Sequence, residues 1–344
     1  MKYGLIFYIS IVFVLISRIV AQNINIPDNY LDIVFTFMVQ LIGFGLIPIL
    51  LCILLTKRNP IHAFRVNIKI NPWIFLIAVY MGVMLYLLTV GVSSISTVFL
   101  NLIGYTKSPS VGTIYSSPGV IILSYFLVAF LPGIFEELTY RGLALRVVGN
   151  LKDDYSKIII LALLFGLGHM FIQQTMYAFV GGIFFAYLAI KTHSIVPGMI
   201  MHIINNSISI TLDISSQYDG VLSKTFNQII TLYSNSVGGV VIVAAAAGFM
   251  LVVSCLLCAK LSKNTKDPVR ETETYKTGVY EFVSVSYSSS NRIDELYGVS
   301  YSQRVDADSG LLEKTSWHEY VFLIGSIIVM ISATIVSFAQ GILL

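Results

Sequence analysis

Nine apolar segments divide this chain, and most of them are long enough to cross a membrane. A transmembrane helix needs about 20 predominantly apolar residues. The composition agrees, because 56% of the residues are hydrophobic and only 11% are charged, against about 25% in soluble domains. The sequence therefore predicts an all-α, polytopic transmembrane helix bundle. The predicted spans are 4–21, 31–55, 73–100, 120–145, 158–172, 175–190, 195–212, 237–258 and 320–342.

The charge balance and the cysteines exclude several classes of protein. The formal net charge is only +3, and no basic patch is interleaved with aromatic residues. We therefore expect the lipid bilayer as a partner and no nucleic acid. The three cysteines, Cys52, Cys255 and Cys258, lie in apolar segments. They offer no disulfide framework, and we interpret them as inert packing residues.

The orientation of the bundle follows from the lysines and arginines of the loops. Cytoplasmic loops carry an excess of these residues, and here they concentrate after the second, fourth and sixth spans. They are Lys57, Arg58, Arg65, Lys69, Arg146, Lys152, Lys157 and Lys191. With nine spans, this pattern predicts a cytoplasmic N-terminus and an external C-terminus. Span 4–21 resembles a signal peptide, but Arg18 interrupts the region before any cleavage site, which favours an uncleaved anchor.

Three regions of different composition follow one another along the chain. Residues 1–258 form the predicted transmembrane bundle, 259–318 a polar cytoplasmic insert, and 319–344 a C-terminal transmembrane helix. The insert is rich in serine and tyrosine. Its stretch "VYEFVSVSY" alternates like a strand, but a disordered tether to the last helix explains the composition equally well.

The stretch "LPGIFEELTYRG", residues 131–142, places three charges inside an apolar segment. With Arg18 at the membrane interface, Glu136, Glu137 and Arg141 are the only formal charges in the interior of the spans. Ionisable groups at this depth are costly and are usually functional. Glu137 and Arg141 are spaced i,i+4 and are predicted to pair. Glu136 lies about 100° away around the helix and has no cation nearby in the sequence, so it is a candidate general base.

A proline and a glycine precede these charges. Pro132 removes one backbone hydrogen bond of the helix and clashes with the preceding turn. Such a break is tolerated in a membrane where neighbouring groups or water satisfy the backbone. Pro132 and Gly133 therefore predict either an ordinary kink or a local opening that admits water beside Glu136.

Two histidines and an asparagine lie within other spans. His169 lies in the fifth span and His202 in the seventh, with Asn206 one helical turn after His202. Two polar side chains on one helix face predict a common partner. For untilted helices, Glu136, His169 and His202 lie about 6, 16 and 10 Å from the inner boundary of the bilayer. This depth predicts a shared polar cavity that opens towards the cytoplasm.

Three short motifs together resemble a known family. "EELTYR" at 136–141 fits EExxxR, "FGLGH" at 165–169 fits FxxxH, and "HIINN" at 202–206 fits HxxxN. Their order and spacing resemble the CPBP (Abi) family of CAAX prenyl endopeptidases and bacteriocin-processing proteins. The resemblance implies an all-helical intramembrane endopeptidase acting on a peptide or a membrane protein.

The resemblance also implies roles for single residues. It implies that Glu136 activates water, that His169 positions this water, and that His202 and Asn206 stabilise the oxyanion. Glu137 and Arg141 of the same motif support the site.

The use of a metal stays open at this point. The usual name of the family is metalloprotease, and Glu136, His169 and His202 include ligand types that zinc accepts. The sequence lacks H-E-x-x-H, and a buried carboxylate can act as a base without a metal. We therefore favour water activation without a bound metal, with zinc as the alternative.

Two other functions compete with proteolysis. One is a catalytically inactive scaffold or regulator that binds a membrane partner, which the long insert favours. The other is a transporter, since broken helices and polar residues near mid-membrane occur there too, but no internal repeat is visible. The abundance of Ile, Asn, Lys and Tyr indicates an AT-rich bacterial genome. We therefore expect a bacterial cell membrane, and peptide maturation or self-immunity as the process.

Overall fold

Nine long helices form the bundle in the part of the chain that the structure describes. The computed structural model describes residues 2–23, 34–68, 70–106, 115, 117–218, 224–225, 228, 237–263 and 316–343. Over these residues the chain contains helices and no strand. The helices are α1 (Lys2–Asn23), α2 (Val34–Thr56), α3 (Pro72–Leu102), α4 (Pro118–Val148), α5 (Asp154–Gly168), α6 (Ile172–Thr192), α7 (Val196–Gln217), α8 (Val237–Leu261) and α9 (Trp317–Leu343). A short helical turn, Pro60–Ala63, lies between α2 and α3.

Each helix coincides with one predicted span, and the predicted all-α polytopic fold is confirmed. Within the described residues, seven helices are long and apolar enough to cross a membrane. The other two are α5 and α7. Helix α5 has 15 residues and is about 22 Å long, whereas α7 is long but carries many polar side chains. Both pack inside the bundle, α5 against α6, and α7 against α3 and α4. The chain is therefore an integral, multi-pass membrane protein.

Contacts between helix ends show which ends share a side of the bundle. Helix α1 runs parallel to α9, since Gly4 meets Glu319 and the Tyr8 ring lies 5.9 Å from that of Phe322. At the other side, the Thr106 amide after α3 donates to the Gly341 carbonyl in α9 at 2.9 Å. These contacts agree with strict alternation of the spans. The cytoplasmic assignment of the N-terminus stays a prediction.

Helix α4 is continuous but contains two π-helical segments. They are Tyr125–Phe130 and Leu138–Ala144. The Leu131 amide accordingly bonds the Phe126 carbonyl five residues back, so the helix is already widened where Pro132 follows. The predicted irregularity at this proline is thus a local widening of the helix. Such π-helical turns are rare and frequent at functional sites.

Glycines bring α4 close to its neighbours on two sides. A Cβ on Gly45 of α2 would lie 3.1 Å from the Phe135 ring, and one on Gly133 would meet the side chain of Ile203 in α7 and lie 3.1 Å from its amide nitrogen. The residues that follow in α4, Glu136 and Glu137, are therefore held between α2 and α7. Residues 264–315 of the predicted insert, including the possible strand, lie outside the described residues.

Candidate active site

Glu137 is the centre of a buried ionic cluster. The Arg141 guanidinium donates to Glu137 Oε1 at 2.8 Å, and His202 Nδ1 lies 3.2 Å from the same oxygen. Both Glu137 and Arg141 are fully buried, and His202 is 5% exposed. The predicted pair of Glu137 and Arg141 is present, and His202 of α7 joins it. Breaking a buried pair of this kind costs several kcal/mol, so the cluster joins α4 to α7.

Aromatic rings enclose the cationic side of this cluster. The Arg141 Cζ atom lies 4.3 Å from the ring centroid of Phe165 and 5.0 Å from that of Phe185. Its guanidinium also donates to the Gly182 carbonyl at 3.3 Å. The His202 ring stacks on Phe185 at 5.0 Å. Cation–π contacts of this type stabilise a desolvated guanidinium.

Glu136 faces the opposite way, towards α2. Its Oε1 accepts a hydrogen bond from Gln40 Nε2 at 2.7 Å, and its side chain is 7% exposed. The Glu136 carboxylate acts electrostatically on His169, Tyr140 and Tyr177. The direct hydrogen-bond donor is a neutral amide, whereas that of Glu137 is a guanidinium.

His169 lies in the turn between α5 and α6. Its Nδ1 lies 2.9 Å from the Phe165 carbonyl, and the following residue, Met170, has a φ of 51°. The Arg18 guanidinium of α1 donates to the His169 carbonyl at 2.7 Å. The position of Arg18 at the membrane interface stays a prediction. A cation stabilises the carbonyl end of a helix, and Arg18 does so at the end of α5.

His202 and Asn206 share a face of α7 but do not share a partner. His202 contacts Glu137, whereas Asn206 Nδ2 donates to the Val128 carbonyl at 3.0 Å and its Oδ1 accepts from Asn205 at 2.9 Å. Within the described residues the two side chains therefore have different protein partners. One turn of helix separates the two side chains, so they meet different turns of α4. Asn206 keeps one N–H that can still donate.

Comparison with known proteins identifies the region that holds these residues. Residues 118–208 match the sequence profile of the family described as type II CAAX prenyl endopeptidase Rce1-like. The predicted resemblance to the CAAX-protease family is confirmed over this region. The Rce1-like region runs from the first turn of α4 to the middle of α7 and contains all three motifs. It supports a membrane-embedded protease. No curated protein and no solved structure matches the chain.

His169 and His202 keep the same ring nitrogen available. A carbonyl and a carboxylate can only accept, so Nδ1 of His169 and Nδ1 of His202 each carry the proton. In the neutral rings, each Nε2 is then left with its lone pair. Such second-partner contacts orient histidines that bind water or a metal.

A metal site needs several ligand side chains that converge on one point. Among the described residues, no group of three His, Cys, Asp or Glu side chains is arranged to hold a metal ion. Glu136, His169 and His202 therefore do not form a zinc site in this geometry. In addition, one oxygen of Glu136 is already bound by Gln40.

Three contributors escaped the reasoning from sequence. Gln40 and Arg18 lie outside the Rce1-like region, and Phe165 was noted only as the first letter of its motif. The signal for Gln40 was available, because it is a polar residue in the middle of the apolar stretch "FMVQLIGFG". No local pattern relates it to Glu136, which lies 96 residues later.

Proposed function

We propose that this protein is an intramembrane endopeptidase in which Glu136 activates water to hydrolyse a peptide bond. The proposal rests on the different surroundings of two adjacent carboxylates, Glu136 and Glu137. Glu137 is neutralised by Arg141 and is enclosed, whereas Glu136 meets only a neutral donor directly. A carboxylate without a bonded cation keeps its capacity to take a proton.

The proposed hydrolysis uses Glu136, His169 and one water molecule. Glu136 removes one proton from water as the water oxygen attacks the scissile carbonyl carbon. His169, whose ring is fixed through Nδ1, accepts the second hydrogen of this water at Nε2 and orients it. The resulting tetrahedral intermediate carries a negative oxygen. Glu136 then passes its proton to the amide nitrogen, the carbon–nitrogen bond breaks, and an acid and an amine leave.

Two residues of α7 stabilise the negative oxygen of the tetrahedral intermediate. One N–H of Asn206 donates to the Val128 carbonyl, and the other can donate to the developing charge. His202 lies one helical turn before Asn206, and Nε2 of its protonated ring is a second donor to this charge. Glu137 and Arg141 thus support the reaction through His202, without touching the scissile bond.

The proposed substrate is a membrane-associated peptide with a lipid or a leader segment, cleaved from the cytoplasmic side of a bacterial cell membrane. A site of this kind within a bundle reaches bonds at or below the membrane surface. The printed description of the matching family names prenyl endopeptidases. A leader-bearing peptide, as in peptide maturation or self-immunity, fits the composition of the chain.

The test uses the full chain in detergent or liposomes with two quenched fluorescent peptides. One ends in a prenylated CAAX sequence, and the other carries an apolar leader. We expect cleavage of at least one of them, and its loss in Glu136→Gln with unchanged yield and melting temperature. Full activity of Glu136→Gln would contradict the proposal. Absence of cleavage by the folded wild-type protein with both peptides would favour the catalytically inactive scaffold.

A further inference from the structure

Helix α2 contributes one polar side chain to the site from outside the Rce1-like region. Gln40 Nε2 donates to Glu136 Oε1 at 2.7 Å, and Gln40 is only 9% exposed. An amide buried among apolar residues costs free energy unless it is hydrogen-bonded. Because an ionised carboxylate can only accept, this contact orients the amide as well as the carboxylate.

Further contacts between α2 and α4 lie next to this hydrogen bond. Thr139 Oγ1 donates to the Phe44 carbonyl at 2.9 Å, and Gly45 lies against the Phe135 ring. Gln40 itself lies in the π-helical segment Met38–Leu46. The position of the amide is therefore set by the packing of two helices and not by a flexible loop.

The chemistry of the donor distinguishes Gln40 from Arg141. Both donate to a carboxylate of α4, but the amide of Gln40 carries no charge and cannot take up a proton. It fixes one oxygen of Glu136 while leaving the second oxygen for a proton from water. An amide donor therefore orients a base without neutralising it, whereas a guanidinium neutralises its partner.

We propose that Gln40 is a positioning residue for the reaction, which holds the Glu136 carboxylate in the orientation that takes a proton from water. The inference rests on the proposed function of Glu136. The Gln40 Oε1 atom is buried and has no protein partner among the described residues. It is therefore left able to accept a hydrogen bond from a water molecule admitted beside Glu136.

The experiment compares two substitutions at the same pair of helices in the full-length protein. Gln40→Met keeps the length of the side chain but removes donor and acceptor. Thr139→Val is the matched control, because it removes another hydrogen bond between α2 and α4 without touching Glu136. The measured quantities are kcat, KM and the melting temperature, with the fluorescent peptide that the wild-type protein cleaves.

We expect Gln40→Met to lower kcat by about 10- to 100-fold, since misplacing a catalytic group has this effect. KM should stay within about twofold, because the substrate-binding surface is unchanged. Thr139→Val should keep kcat within about threefold. Equal kcat values for the two folded variants would overturn the proposal.

A second variant covers the case in which Gln40→Met does not fold. Gln40→Glu keeps the shape and the polarity but replaces the N–H donor with a second carboxylate, so its kcat should fall at least as far. Wild-type kcat in either folded variant overturns the inference.

The outcome separates this inference from the proposed function. If the wild-type protein cleaves the peptide, Glu136→Gln does not, and Gln40→Met retains full kcat, only the role of Gln40 is wrong. If Glu136→Gln remains active, the proposed base is wrong, and the role of Gln40 is wrong with it.

Discussion

Glu136 and Glu137 are neighbours in the chain but belong to two different regions of the molecule. Glu137 faces α7. Arg141 of α4 and His202 of α7 both contact its Oε1 atom, and aromatic rings enclose these side chains. Glu136 faces α2, where an amide is its donor and His169 is an electrostatic neighbour. A rotation of about 100° around one helix thus separates a structural carboxylate from a candidate catalytic one.

This contrast shows that the groups around a carboxylate determine its role. The charge of Glu137 is balanced within the protein, so its removal leaves an unpaired guanidinium. The direct donor of Glu136 is uncharged, so its removal leaves an amide that can rotate. An isosteric substitution should therefore lower mainly the activity at Glu136 and mainly the stability at Glu137.

The largest effects are expected for Glu136→Gln and Glu137→Gln. Glu136→Gln should reduce peptide cleavage by about 10²- to 10⁴-fold, the contribution of a general base, with an unchanged melting temperature. Glu137→Gln should lower the free energy of unfolding by about 3–5 kcal/mol, because Arg141 is left buried without its partner. Peptidase assays and melting curves in detergent measure both.

A double-mutant cycle controls for the loss of the pair. Arg141→Met combined with Glu137→Gln removes both charges, so the double variant should be less destabilised than the sum of the single ones. Strictly additive losses would contradict the view that these residues act as one buried pair.

A smaller effect is expected where the aromatic shell meets the ionic cluster. Phe165→Leu removes the ring over Arg141 and its edge contacts with His169 and His202. The free energy of unfolding should fall by about 2 kcal/mol, and cleavage should weaken because both histidines lose a neighbour. Phe126→Leu, at a ring 45% exposed, is the matched control. An equal loss in both variants would show that Phe165 has no special role.

A weaker ion pair lies at the end of the α5–α6 hairpin. Asp154 accepts from Lys191 at 2.7 Å and from Lys157 at 3.2 Å, and about a third of its side chain is exposed. Asp154→Asn should cost less than about 1 kcal/mol. A loss like that of Glu137→Gln would mean that this end is buried far from water.

The pH dependence of this pair has a definite sign. The hydrogen bond from Lys191 lowers the pKa of Asp154 below the ordinary 3.8. Its small contribution to stability is therefore complete above pH 3.8 and is lost as the pH falls below that value through the lowered pKa. Melting curves of the wild-type and Asp154→Asn proteins should converge in that range. A gap that stayed constant down to the lowest pH would contradict this account.

The smallest effect is expected from metal removal. Because Glu136, His169 and His202 do not form a ligand group in this geometry, chelation should leave cleavage within about twofold. Protein purified without chelator should contain less than one equivalent of zinc. One zinc per chain, with activity lost on chelation and regained on adding zinc, would contradict this prediction and assign Glu136 to the metal.

Much of the site could be predicted because its motif residues lie on helices with simple periodicity. The pairing of Glu137 with Arg141 follows from their i,i+4 spacing alone. The contacts of His202 with Glu137, of Gln40 with Glu136 and of Arg18 with the His169 carbonyl could not be predicted, since each joins helices far apart in the chain. The different protein partners of His202 and Asn206 could not be predicted for the same reason, since one helix does not show which turn of its neighbour each side chain meets.

The sequence by itself determined the helical membrane fold, the segments that form helices in the described part of the chain, and the candidate residues for the chemistry. It did so because lipid forces every apolar segment to satisfy its own backbone, and because ionisable groups are too costly there to be incidental. Only the tertiary structure decided which carboxylate each donor reaches. That choice depends on helix rotation, on two π-helical segments in α4 and on close approaches at Gly45 and Gly133, and local sequence does not encode these distances.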